Sequence, residues 1–134
     1  MLEYLKNFRF TQSDLAYLRE ELGYSDDFLA YLKDLRFSGS MYSMVEGELV
    51  FANEPIVRIE APLVEAQLVE TALLNIVNFQ TLIATKASRI KQVIKDEVAM
   101  EFGTRRAQEL DAALWGARAA VIGGFESTSN VRAG

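Results

Sequence analysis

The sequence predicts a mixed α+β and α/β chain: two short helices, a small antiparallel meander, a long helical segment and a closing strand–helix–strand unit. Three observations lead there. Apolar residues recur at helical spacing over 11–35, the pattern turns β-branched and aromatic over 41–60, and short apolar runs flank a helical pattern over 98–125. With 134 residues, an apolar fraction of 50% and a charged fraction of 25%, the chain has the makings of one globular core.

The first helix of the pair, "TQSDLAYLREELG" (11–23), has Thr11 or Ser13 as cap, Leu15, Leu18 and Leu22 on one face, and Gly23 as stop. The second, "SDDFLAYLKDL" (25–35), starts on Ser25, with Asp26 and Asp27 in the first turn where carboxylates suit the helix dipole. A faint echo joins them: "YLKNFRFT" (4–11) and "YLKDLRFS" (31–38) match at an offset of 27. Each copy reads as a helix end followed by Arg-Phe and a Thr or Ser ready to cap the next element. Such ends would pack on a shared neighbour; coincidence in a Leu/Tyr-rich segment is the other reading.

From 41 to 60, "MYSMVEGELVFANEPIVRIE" is broken by Glu46-Gly47 and Asn53-Glu54-Pro55, which predicts three short strands in a meander. A helical segment then runs over 62–96, with Pro62 at its first position. Its apolar positions cover more than half the surface, so it should be nearly enclosed, and its length predicts a break near Asn78–Thr81. Glu65, Gln67, Glu70, Asn75, Asn78 and Gln80 make it too polar for a bilayer span. The last segment reads as a buried strand "VAMEF" (98–102), a helix over 104–120 and a strand "VIGGF" (121–125), the two strands parallel. Trp115 and Phe79 read as core.

Absent cysteine removes disulfides and thiolate chemistry, and fits a cytoplasmic protein. Absent histidine removes the commonest general base and metal ligand. The start, Leu2-Glu3-Tyr4-Leu5-Lys6, lacks the pattern of a signal peptide. The net charge of −5 is uneven: Lys86, Arg89, Lys91, Lys95, Arg105 and Arg106 form a basic patch on an acidic chain. That favours a small anionic ligand over nucleic acid, although Lys86 to Lys95 also read as an ordinary solvated face.

Ligands of parallel α/β sheets gather beyond the carboxyl ends of the strands. One strand here ends in Phe102-Gly103-Thr104-Arg105-Arg106, the other in Glu126-Ser127-Thr128-Ser129-Asn130. The arginines would stand at a helix N-terminus and grip phosphate or carboxylate, Gly103 would let backbone approach a ligand, and Phe102 would offer a flat face. Alternatively, the arginines and 127–130 are solvated surface and Phe102 is core.

"EGELVFANEPIVRIEAPLVEAQLVETALLNIVNFQTLIATKASRI", then "EFGTRRAQ", then "GGFESTSNVRAG" resembles the nicotinate phosphoribosyltransferases across essentially the whole chain. The resemblance implies a type II phosphoribosyltransferase of NAD salvage, joining nicotinate to phosphoribosyl pyrophosphate, with ATP and Mg used by the full-length enzyme through a phosphohistidine. It implies a sandwich-like α/β domain over 1–97, and over 98–134 the first strands of an irregular α/β barrel. It also implies a cytoplasmic homodimer with sites completed across a head-to-tail interface. By motif match Phe102 stacks on the pyridine and Arg105 holds the substrate near its phosphate or carboxylate, with Gly103, Thr128, Ser129 and Asn130 lining the pocket. Ser129 falls where nicotinamide-using relatives carry an aspartate that would repel a carboxylate. Thr71, in place of an arginine, argues against the dicarboxylate quinolinate.

The family's leading Asp-x-Tyr segment and its phosphorylated histidine have no counterpart here, and family members are several times longer. The chain therefore reads as an internal fragment with no catalytic residue, metal ligand or cofactor requirement of its own, and without turnover in isolation. A non-catalytic packing module and a quinolinate phosphoribosyltransferase-like fragment are the competing readings.

Overall fold

The computed structural model describes residues 1–133. In order come helices α1 (Leu2–Lys6), α2 (Gln12–Glu20) and α3 (Asp26–Asp34), strands β1 (Ser40–Ser43) and β2 (Val57–Glu60), and helix α4 (Leu63–Ile94). Strand β3 (Met100–Glu101), helix α5 (Leu110–Ile122) and strand β4 (Ser127–Thr128) complete the order, with short 3-10 turns at Thr104–Arg106 and Val131–Ala133. The chain forms two compact units, Met1–Ser43 with Pro55–Leu73, and Met44–Glu54 with Leu74–Gly134.

In the first unit, local chemistry sets the helix ends. The Thr11 hydroxyl accepts from Asp14 N–H at 3.3 Å while the Asp14 carboxylate accepts from Thr11 N–H at 2.7 Å, a reciprocal cap on α2. The Thr11 hydroxyl and amide bonds hold Asp14 below the usual carboxylate pKa. Ser25 caps α3 through Phe28 N–H, and Gly23 leaves α2 at φ +67°, a left-handed conformation that glycine adopts without strain. Strands β1 and β2 pair antiparallel, Ser40 opposite Glu60 and Ser43 opposite Val57.

The core of this unit is Leu5, Val69 and Leu73, packed with Met1, Tyr4, Phe8, Phe37, Met41 and Ile59. The two echoed helix ends do share a neighbour, since Phe8 and Phe37 both lie against this cluster at the start of α4. Ser38 does not cap the next element. Its N–H and hydroxyl instead bind the buried Glu65 carboxylate, at 2.6 and 2.9 Å, so a charge that would be costly to bury is met by two donors. Pro62 sits one residue ahead of α4, its carbonyl taking the Ala66 N–H.

Four expectations for the middle of the chain fail. The meander has two strands: residues 44–54 form turns, in which Val45 and Glu48 bond reciprocally, as do Phe51 and Glu54, through each glutamate's side chain. Amides used in turns are lost to a ladder. Helix α4 runs unbroken for 32 residues. It holds no Gly or Pro, and the Asn and Thr at 78–81 lower helix propensity by only a few tenths of a kcal/mol each. Nor is α4 enclosed, for Leu63, Leu74, Leu82 and Val93 are 77%, 62%, 62% and 79% exposed. By length and composition it is also apolar enough to cross a membrane, against the expectation from its polar residues.

The second unit packs α4 against α5 through small residues. Ala113, Ala117 and Ala120 are buried, Gly116 faces Ile83, and Gly123 lies against Ala84 and Ala87. Such a seam lets backbones approach closely. Trp115, expected in the core, is 46% exposed; Phe79 is half-buried.

Candidate functional site

Strands β3 and β4 pair in parallel, Met100 with Ser127 and Glu101 with Thr128. The relationship is the expected one, but the partner is not. "VIGGF" ends helix α5 and turns, and the strand begins at Ser127. Residues 98–102 are likewise less strand and less buried than predicted: only Ala99 is buried, while Val98, Met100 and Phe102 are 69%, 54% and 55% exposed.

The rim beyond these strands is built around Glu101. Its carboxylate accepts Thr128 Oγ1–H at 2.7 Å and the Gly103 N–H, and its main-chain oxygen accepts Ser129 N–H at 3.0 Å. The Thr128 hydroxyl accepts Asn130 N–H at 3.0 Å, and Asn130 Oδ1 accepts Arg132 N–H at 3.2 Å. The loop of Phe102 and Gly103 and the loop of Thr128, Ser129 and Asn130 are thus bonded to one carboxylate. Glu126, one residue ahead of β4, braces the other side. Its carboxylate takes Lys91 Nζ and the Ala99 N–H, which together hold it below the usual carboxylate range. Lys91 is therefore a tie between α4 and this sheet, and more than solvated surface.

Arg105 and Arg106 occupy the 3-10 turn after Gly103, where Arg106 N–H bonds Gly103 O at 2.8 Å. The helix expected from residue 104 starts at Leu110, so the arginines lie on a single tight turn and gain little from a helix dipole. Both are exposed, and among the described residues neither guanidinium has an ion-pair partner. An exposed guanidinium of this kind matches the planar fork of a carboxylate or phosphate. Buried Ser127 Oγ has no hydrogen-bond partner among the described residues. Among the described residues no cluster of three or more acidic side chains could hold a metal ion.

The sequence reading found the two rim loops and missed Glu101 and Glu126. Their signal was a carboxylate directly before the first candidate loop and at the head of the second.

Residues 1–78 match the family model for the nicotinate phosphoribosyltransferase (NAPRTase) N-terminal domain. The chain belongs to the nicotinate phosphoribosyltransferase family. It is 76% identical over 133 residues to nicotinate phosphoribosyltransferase of Bacillus subtilis (strain 168), covering 99% of this chain and 27% of that protein. It is 42% identical to nicotinate phosphoribosyltransferase pncB2 of Mycobacterium tuberculosis, covering 99% of this chain and 29% of that one. Its fold matches the crystal structure of human nicotinic acid phosphoribosyltransferase with a TM-score of 0.88 at 32% identity, over 99% of this chain and 27% of that one. The chain spans between a quarter and a third of the length of these nicotinate phosphoribosyltransferases.

Proposed function

We propose that this chain works as part of a longer nicotinate phosphoribosyltransferase and supplies one wall of its substrate pocket. The observation that carries the reading is the parallel β3–β4 pair, which brings Phe102 and Gly103 to the same rim as Thr128, Ser129 and Asn130. In the reaction the pyridine nitrogen of nicotinate attacks the anomeric carbon of phosphoribosyl pyrophosphate, the bond to pyrophosphate breaks, and nicotinate mononucleotide and pyrophosphate leave. Positioning and charge stabilisation suffice for such a step, without a protein nucleophile. Phe102 would stack on the pyridine, Arg105 would face the carboxylate or a phosphate, and neutral Ser129 would leave room for the carboxylate.

ATP and Mg belong to this reading as requirements of the longer enzyme. The described residues offer no carboxylate cluster for the ion, and no step through either is assigned to this chain. The barrel to which residues 98–134 would contribute, the sandwich-like domain of 1–97, the homodimer and the cytoplasmic location are parts of the same proposal; nucleic acid and membrane have no place in it. The exposed outer side of α4 fits a chain that packs on further protein.

The test is a graft. This chain replaces the 133 matched residues of the Bacillus subtilis relative, and nicotinate mononucleotide formation is followed with nicotinate, phosphoribosyl pyrophosphate, ATP and Mg. The graft should turn over, and the 134-residue chain alone should not. A folded graft with no product above a protein-free blank would overturn the proposal.

A further inference from the structure

Glu101 has both carboxylate oxygens engaged by donors of its own chain: Oε2 by the Thr128 hydroxyl and Oε1 by the Gly103 amide. An ionised carboxylate only accepts, and both groups facing it donate, so the two bonds are complementary. Gly103 is what lets the side chain curl back onto the main chain, because a Cβ there would stand 2.7 Å from Glu101 Oε1. The main-chain oxygen of Glu101 fixes Ser129 as well, and Thr128 passes the restraint on to Asn130. Both loops proposed above to line the pyridine are therefore tied to one residue, through its side chain and its main-chain oxygen.

We infer that Glu101 is a positioning residue for the pyridine subsite, clamping the Phe102–Arg105 turn to the Ser129–Asn130 loop at the separation that nicotinate needs. This rests on the proposed function. A role as proton acceptor is the alternative, since each oxygen keeps a second lone pair. The two roles separate cleanly on substitution. Glutamine at 101 can still accept from Gly103 N–H and can donate to a rotated Thr128 hydroxyl, so it keeps the clamp and loses the base. Alanine loses both.

In the grafted enzyme, Glu101→Ala should raise KM for nicotinate about tenfold, the cost of leaving two donors without their acceptor, with a smaller effect on kcat. Glu101→Gln should recover most of that loss. Thr128→Val should raise the same KM, and the double variant Glu101→Ala/Thr128→Val should be no worse than Glu101→Ala, because both act through one device. An unchanged KM in Glu101→Ala, or Glu101→Gln as impaired as Glu101→Ala, overturns the inference. If Glu101→Ala does not fold, Thr128→Val carries the same expectation. An inactive unsubstituted graft counts against the proposed function, and the clamp is then read in the 134-residue chain by NMR. There the Gly103 amide proton should move upfield and exchange faster in Glu101→Ala but not in Glu101→Gln; an unmoved resonance overturns the clamp.

Discussion

Arg118, on α5, forks onto both carboxylate oxygens of Glu46, at 2.8 and 2.7 Å, and gives a further bond to Gln80 at 3.0 Å. Glu46 lies in the turn segment 44–54 and Gln80 on α4, so one guanidinium joins three parts of the second unit. The bidentate geometry is the strong form of this pair. The Arg118 bonds hold Glu46 below its ordinary carboxylate pKa of 4.5, and Glu46 in turn raises Arg118.

A folded-state pKa below the unfolded one stabilises at high pH: the contribution is full above the ordinary carboxylate range and fades as pH falls through the depressed value. Glu46→Gln should therefore lower the thermal midpoint at about pH 7, and the gap from the parent should close as pH falls below the ordinary carboxylate value of 4.5. The side chains are 41% and 60% exposed, so solvent screening limits the effect to about 0.2–1 kcal/mol. A gap that widens in acid would contradict the assignment.

Gly39 and Gly116 should respond oppositely to alanine. A Cβ at Gly39 would run into the Ala61 side chain and stand 2.5 Å from the Glu60 carbonyl oxygen, at the end of the β1–β2 pair. Gly39→Ala should cost about 1–3 kcal/mol in urea unfolding. At Gly116 the nearest atom is Ile83 Cδ1 at 3.4 Å, an ordinary contact, and the site is inside a helix. Gly116→Ala should be neutral or stabilising by up to about 1 kcal/mol.

Val69 and Leu74 lie on the same helix, α4, in opposite surroundings, at 0% and 62% exposure. Val69→Ala should cost about 2 kcal/mol by lost burial and a residual cavity. Leu74→Gln should change stability by less than about 0.5 kcal/mol in the isolated chain. Equal losses, read by chemical denaturation, would mean that Leu74 is covered in solution.

Arg105 and Arg106 should part company in the grafted enzyme. Arg105→Ala should raise KM for nicotinate or phosphoribosyl pyrophosphate about tenfold to a hundredfold, the worth of a charge-assisted hydrogen bond. Lysine should restore little of it, since a point charge does not replace a fork. Arg106→Ala should stay near the parent. The reverse ranking would move the anion contact to Arg106.

Much of the first unit was legible because its signals are local. Thr11, Ser25 and Gly23 act on groups a few residues away, and their chemistry is the same wherever the rest of the chain goes. The rim was half legible. Two apolar runs around a helix implied a parallel pair, and the polar residues behind each run named the loops. The register was not legible, because "VIGGF" has strand composition and yet stays helical to Ile122, with Gly123 seated against Ala84 and Ala87.

The sequence by itself determined where helices begin and end near their caps, which family the motifs resemble, and that an Arg-bearing loop comes after an apolar run. Tertiary structure alone decided that β4 starts at Ser127 and that Glu101 meets Thr128 across 27 residues of chain. Those outcomes depend on competition among distant partners for the same backbone and side-chain groups, and no window of neighbouring residues contains the competitors.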